Sequence, residues 1–389
     1  MKTWGTLLLL PTLLLGQPQF YGYFETETNG MQVADQNYTF GFNKFRLDIE
    51  SRPNDAILIG ANVNFQKYWG QTSWNIYDFL PGYSDLGLIE NIELQDTVLI
   101  DNAYLRVSFP VADLTVGRQQ LSPGVGYAWN PTDIFNSKSL LDPSYEQTGV
   151  EAIRLDIPLG DRSLVSAIVV PANKLENSTQ QVSLKSGLGS FDFNISTAYQ
   201  VSPDDFTPLL GSLFYKRQRL TGLSGIGEFL GWGIWGEFAH NVLEVHIPLY
   251  ISSIPDVEDT FAEYVLGTDH TFDNSLYLML EYMHNGLGVA HQDQITLNDY
   301  IMSLSGETNS LMQDYIFGYI MHPSFDYVTL SAITFANLND GSGALSPIVD
   351  WNIFEDTNLS FQGSIFWGDD DTEFGLQDWG LILNITSNF

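Results

Sequence analysis

Four ionisable residues alternate along one short stretch of this chain: Lys44, Arg46, Asp48 and Glu50. A spacing of two makes a β-strand project all four from one face. Arg106, and then Arg154 with Asp156, set ionisable groups on two further segments. Such a row supports two chemistries. It can line a water-filled passage and select ions by charge, or it can form ion pairs that stiffen an interior. The other candidate groups point less clearly. Asp369-Asp370-Asp371-Thr372-Glu373 gathers carboxylates that could hold Ca²⁺ or Mg²⁺, but it lacks the spacing and glycine of a calcium loop and reads as a solvated tip. All six histidines (His240, His246, His270, His284, His291, His322) follow residue 239 and fit no zinc-site spacing. No Gly-x-Ser-x-Gly turn is present and nothing gathers Ser, His and Asp, so neither an enzyme nor a cofactor is expected. The absence of Cys leaves no disulfide framework and no thiolate metal site.

The elements that must carry these residues are strands. From Gln19 the sequence divides into segments of about ten residues with period-2 patterning. The first nine are Gln19–Thr28, Thr39–Glu50, Ala56–Tyr68, Val98–Phe109, Asp113–Leu121, Gly149–Ile157, Ser163–Pro171, Thr179–Lys185 and Phe191–Gln200. Nine more follow: Leu210–Leu220, Phe229–His240, Phe261–His270, Ser275–His284, Met312–Met321, Tyr327–Asn337, Leu345–Asn352, Leu359–Trp367 and Asp378–Phe389. Ile57, Ile59, Ala61, Val63 and Phe65 oppose Gly60, Asn62, Asn64 and Gln66. Leu230, Trp232, Ile234 and Phe238 similarly oppose Gly231, Gly233, Trp235 and Glu237. Ser163–Pro171 is apolar on both faces, and a slip of one residue would exchange them. Short connections rich in Pro, Gly, Asn and Asp, such as Arg52–Asp55 and Pro110–Ala112, alternate with long ones such as Trp69–Thr97 and Ser122–Thr148. A soluble β-sandwich has no reason to keep that alternation.

In Asp378–Phe389, Trp379, Leu381, Leu383 and Ile385 share one face, and the stretch ends on Phe389. It resembles the closing strand of bacterial outer-membrane β-barrels, in which a terminal aromatic residue is part of the signal read by the barrel-insertion machinery. With the even strand number and alternating connections, the resemblance implies an all-β fold: a transmembrane antiparallel up-and-down β-barrel of about 18 strands, with 16 as the alternative. Gly117-Arg118-Gln119 followed by Trp129-Asn130-Pro131-Thr132-Asp133 resembles a patch of porin-like and alginate-export-like barrels. By that resemblance the third long loop folds into the lumen, setting Arg118, Asn130, Asp133 and Asn136 near a constriction. A well-packed external loop pinned by Trp129 and Phe135 is the alternative. Arg118 shares parity with Leu114 and Val116, so an inward Arg118 requires a bulge. An alginate exporter should favour anions, and the acidic composition departs from that.

Met1-Lys2 and the apolar run Leu7–Leu15 read as a signal peptide over residues 1–16, leaving 17–389 as one barrel domain. The run is too short to span a bilayer as a helix. Aromatic residues make up 14% and charged residues 16%, which suits aromatic girdles and a lipid-facing surface that excludes charge. The net charge of −32, with no Lys or Arg after Arg219, repels nucleic acid and favours cations in any enclosed cavity. The expected function is passive diffusion of small hydrophilic solutes through an outer-membrane pore of a Gram-negative-type bacterium, with cation preference. The rival is a barrel plugged by its loops, acting as a surface receptor or envelope protein. Outer-membrane lipids and lipopolysaccharide, reached through divalent ions, are the expected surroundings. An apolar outer face suits a homo-oligomer as well as a monomer.

Overall fold

The structure, a computed structural model, describes residues 17–33, 36–80, 91–136, 147–203, 215–246, 257–296, 299–300 and 310–389. The expected signal peptide lies outside them. The wall begins with β1 (Gln19–Val33), β2 (Gln36–Asn54), β3 (Ile57–Gly70), β4 (Thr97–Leu99 continued by Ala103–Phe109), β5 (Ala112–Gln119) and β6 (Val150–Gly160). It continues with β7 (Ser163–Val170), β8 (Thr179–Leu188), β9 (Phe191–Pro203), β10 (Tyr215–Phe229), β11 (Trp232–His246) and β12 (Val257–Thr271). β13 (Tyr277–Asn285), β14 (Asp314–Phe325), β15 (Val328–Asn337), β16 (Gly343–Phe354), β17 (Thr357–Trp367) and β18 (Gln377–Asn388) complete it. Each strand pairs antiparallel with its neighbours in sequence, and β18 pairs with β1, so the sheet closes into a barrel of 18 strands. Closure is sealed by a reciprocal pair of backbone hydrogen bonds between Gly22 and Phe389, at 3.2 and 3.0 Å.

The period-2 pattern decides which way each side chain points. Phe20, Leu105, Leu155, Ile195, Leu266 and Leu383 stand exposed on the outer face, where no polar interior competes for them. The alternate set faces inward and is polar on β1–β6. In β4 the ladder breaks at residues 100–102, and the Asn62 side chain on β3 fills the gap. Its Oδ1 accepts the Asp101 N–H at 3.1 Å and the Asn102 N–H at 2.7 Å.

Three expectations are corrected. The tenth strand is Tyr215–Phe229, not Leu210–Leu220, whose first five residues lie outside the described ones. The eleventh starts at Trp232, because Leu230 (φ 53°) and Gly231 (φ 82°) form a two-residue turn inside what reads as continuous alternation. The first strand runs on to Val33 rather than ending at Thr28, and the second begins at Gln36 rather than Thr39. Elsewhere the short turns gather on one rim and the long connections on the other. Four of these matter below: L2 (71–96), L3 (120–149), L7 (286–313) and L9 (368–376).

Candidate functional site

L3 leaves β5 and turns into the barrel. Leu121 is packed away with Ala152 and Ile168, and Phe135 leans on the same group. Pro123 cannot donate to a ladder, and Gly124 takes φ +100°, a backbone state closed to most side chains. A Cβ on Gly124 would also sit 2.7 Å from Glu237 Oε1. The next N–H groups then meet two carboxylates on the far wall. Glu237 on β11 accepts from Val125 N–H, from Gly126 N–H at 2.6 Å, and from Thr132 through N–H at 3.2 Å and Oγ1 at 2.8 Å. Glu281 on β13 accepts from Tyr127, Ala128 and Trp129 N–H at 2.7, 2.8 and 3.0 Å. The Trp235 indole adds a fourth donor at 2.6 Å. Both glutamates are almost wholly buried. Charge-assisted bonds of this kind are worth about 1.5–3 kcal/mol each, so the loop is held as a fixed bridge across the lumen.

The choice of donors follows from composition. No Lys or Arg lies beyond Arg219, so a buried carboxylate from β11 onward draws its partners from neutral groups or from cations on the earlier strands. Glu263 takes Asn241 at 2.9 Å. Glu373, in L9, takes the Tyr315 hydroxyl at 2.6 Å and Asn337 at 2.8 Å. The Glu373 carboxyl is shut in although the residue as a whole is half-buried. Burial raises its pKa to about 7, against the pull of those two hydrogen bonds, and nearby Asp340 adds to the rise.

Beside these carboxylates the inner wall of β11–β16 carries an apolar cluster, and loops cover it. Leu80 of L2, Ala128 and Trp129 of L3, and Leu311 and Met312 of L7 are buried against Met279, Met283, Phe317 and Phe335 of the wall. Phe374 of L9 meets Phe335 edge-on at 5.0 Å. Among the described residues, two cavities are lined in part by L3. One, of about 270 Å³, lies against β6–β10 and includes Arg154, Lys185 and Asp192. The other, of about 390 Å³, lies against β14–β18 and β1, with Glu25 and Asp350 the charged lining among the described residues.

No protein-family model matches the chain, and no curated protein matches it. Solved structures do. OccK2 of Pseudomonas aeruginosa superposes with a TM-score of 0.57 over 96% of this chain and 98% of its own, at 8% identity. A BenF-like porin from Pseudomonas fluorescens superposes at 0.56 over 97% and 99%, at 9% identity, and OccK11 of Pseudomonas aeruginosa at 0.56 over 96% of each, at 9% identity. The chain has the outer-membrane porin fold.

Within this porin fold the sequence-selected residues separate into three groups. Lys44, Arg46, Asp48, Glu50, Arg106, Arg154 and Asp156 fall on inward register positions. Arg46 binds Asp48 at 2.9 Å and approaches buried Asp101 at 3.8 Å; Arg154 binds Asp156 at 2.8 Å. Lys44 reaches Glu25 at 3.9 Å and lies over the Tyr23 ring. Arg106 Nε donates to Thr115 Oγ1 at 3.3 Å. The second group is in L3. Asp133 Oδ1 accepts from Phe135 and Asn136 N–H at 2.9 and 3.2 Å, Asn136 returns a bond to Leu121 O, and Asn130 is buried. These three shape the loop from within. Arg118 stands apart and is corrected. Its register partners are Ala103 and Glu151, on the outer face, and its Nε donates to Asp101 O at 3.2 Å. The run at Asp369 forms a turn, Asp369 O accepting from Thr372 Oγ1 at 2.7 Å. Among the described residues no group of three His, Asp or Glu could hold a metal ion.

Sequence reasoning missed Glu237 and Glu281 as the anchors of L3. A signal existed: each is an acidic residue at inward parity in the part of the chain without Lys or Arg.

Proposed function

We propose that this protein is an outer-membrane channel for small hydrophilic solutes that favours cations. The observation carrying the reading is the L3 bridge. A loop anchored on Glu237 and Glu281 narrows the lumen at a fixed place and leaves polar cavities beside it. Cation preference draws support from the larger cavity, whose charged lining is Glu25 and Asp350, and from a wall on β11–β18 that carries no Lys or Arg. Low-dielectric walls focus such a field and raise the local concentration of counter-ions. Residues 1–16 direct export, and the barrel resides in the outer membrane with lipopolysaccharide as neighbour.

Single-channel recording of the refolded barrel in a planar bilayer under a salt gradient tests this. Steady openings with a cation-selective reversal potential are expected; an anion-selective reversal would overturn the charge argument. A second reading has its own support. The apolar cluster formed by L2, L3, L7 and L9 fills much of the β11–β17 side, as a plug would. A folded barrel that never conducts would favour that reading, a receptor or structural envelope protein.

A further inference from the structure

We propose that Arg219 and His240, neighbours on the outer face of β10 and β11, bind a phosphate of lipid A, the phosphorylated glycolipid of the external leaflet. The proposal rests on the outer-membrane reading, because it needs that leaflet against the wall.

Register puts both side chains outside. Leu220 and Ala239 are buried inside the barrel, so Arg219 and His240 share the outward face with exposed Leu223 and Phe238. Arg219 pairs with Val242 and Thr221 with His240, which makes Arg219 and His240 diagonal neighbours, a spacing of about 7–8 Å. Their height follows from strand length. A tilted strand crosses the hydrocarbon in about 9–11 residues, and β10 covers that span between Phe229, at the short turn, and Arg219. Both groups therefore stand where the belt ends on the side of the long connections, the outward side of outer-membrane barrels.

Arg219 brings donors that the protein leaves open. Its Nη2 bonds Glu244 Oε1 at 3.0 Å, yet the side chain stays 64% exposed. Among the described residues its other N–H groups have no acceptor, and His240 has no hydrogen-bond partner. A guanidinium at the edge of hydrocarbon needs an acceptor there. Two oxygens of one phosphate match its planar fork, and the imidazole N–H beside it adds a further donor. Tyr199, the other register partner of Arg219, sets a phenol at headgroup level. Below them, exposed Leu223, Phe238 and Leu266 leave an apolar surface for the acyl chains of the same molecule. The opposite ends of the two strands present Phe229 and Trp232 instead, so the phosphate preference belongs to one leaflet.

The probe is bisphosphorylated lipid A, added to the mature barrel in detergent micelles, with dephosphorylated lipid A and phosphatidylglycerol as references. Bound lipid is read by native mass spectrometry and by thermal shift. Retention of lipid A is expected, weakened on the order of tenfold by R219Q and several-fold by H240A. K174Q removes an exposed charge from the connection between β7 and β8 and should leave binding unchanged. Dephosphorylated lipid A should bind the parent several-fold more weakly, a comparison that depends on no variant's folding. Equal binding with and without the phosphates, or R219Q matching the parent, would mean that only the apolar belt holds the lipid and would overturn the site. Phosphatidylglycerol retained as tightly, with the same Arg219 sensitivity, would overturn the choice of lipid A. Cell fractionation separates the two readings. A barrel recovered in the outer membrane without Arg219-dependent binding loses the site alone, and one absent from that membrane loses both.

Discussion

The indole of Trp235 reaches across a whole strand to Glu281: its Nε1 donates to Glu281 Oε2 at 2.6 Å, although β12 runs between their strands. Gly267 makes this geometry available. It is the register partner of both residues, and a Cβ there would lie 2.1 Å from the indole. The missing side chain is therefore the slot in which the ring lies, and the ring in turn orients the carboxylate that accepts three N–H groups of L3.

Gly267→Ala should displace the indole and loosen L3. Overpacking of this kind costs about 1–3 kcal/mol. Thermal unfolding in detergent would show the loss. Gly363→Ala is the comparison, because the nearest atom to a Cβ there is 3.7 Å away and should leave stability close to the parent.

Replacing Glu237 and Glu281 by Gln removes two charges that together accept from six backbone N–H groups, a hydroxyl and an indole. Each lost charge-assisted bond is worth about 1.5–3 kcal/mol, so L3 should detach before the wall unfolds. The expected outcome is a larger, noisier single-channel conductance and new protease cleavage within L3. An unchanged current from the double variant would show that L3 does not limit the passage.

Stability should depend on pH through Glu373. Its folded pKa, about 7, lies above the ordinary 4.5, so the folded state holds the proton more tightly than the unfolded state. The contribution is full below about 4.5 and is lost as pH rises through about 7, by at most about 1.4 kcal/mol per pH unit. Melting temperatures at pH 5 and pH 8 should differ more for the parent than for Glu373→Gln.

Arg118 and Arg154 should behave differently in selectivity measurements. Arg154→Gln removes a cation from the lumen and leaves Asp156 unpaired, so the reversal potential should move toward stronger cation preference. Arg118→Gln acts on the outer face and should leave the reversal potential where it was.

The wall was legible in the sequence because lipid on one side and water on the other impose a strict period of two. Lys44, Arg46, Asp48 and Glu50 could be placed on one face for that reason. The Leu230-Gly231 turn was hidden because its two residues continue the alternation of size on either side. The interior of β11–β16 was harder still. Met279, Met283 and Phe317 point inward, where a water-filled pore would have polar groups, because loops distant in sequence come to cover them. A strand that is apolar on both faces, as Ser163–Pro171 also is, is thus a trace of a loop folded inside. The anchors of L3 were missed because backbone N–H groups supply their partners, and a sequence does not advertise which N–H groups a loop will leave free.

The reciprocal hydrogen bonds between Gly22 and Phe389 close the longest loop in the barrel, and chain entropy sets what that closure costs. Hairpins between successive strands can form locally, but this seam joins positions hundreds of residues apart. Bringing such ends together costs about 5 kcal/mol in chain entropy beyond the constant term, recovered only when β1 and β18 zip along their full register. Until then both edges expose unpaired N–H and C=O groups, which hydrocarbon cannot solvate. The seam is therefore the costliest joint to close and the point at which an unfinished barrel is most open to pairing with a foreign strand.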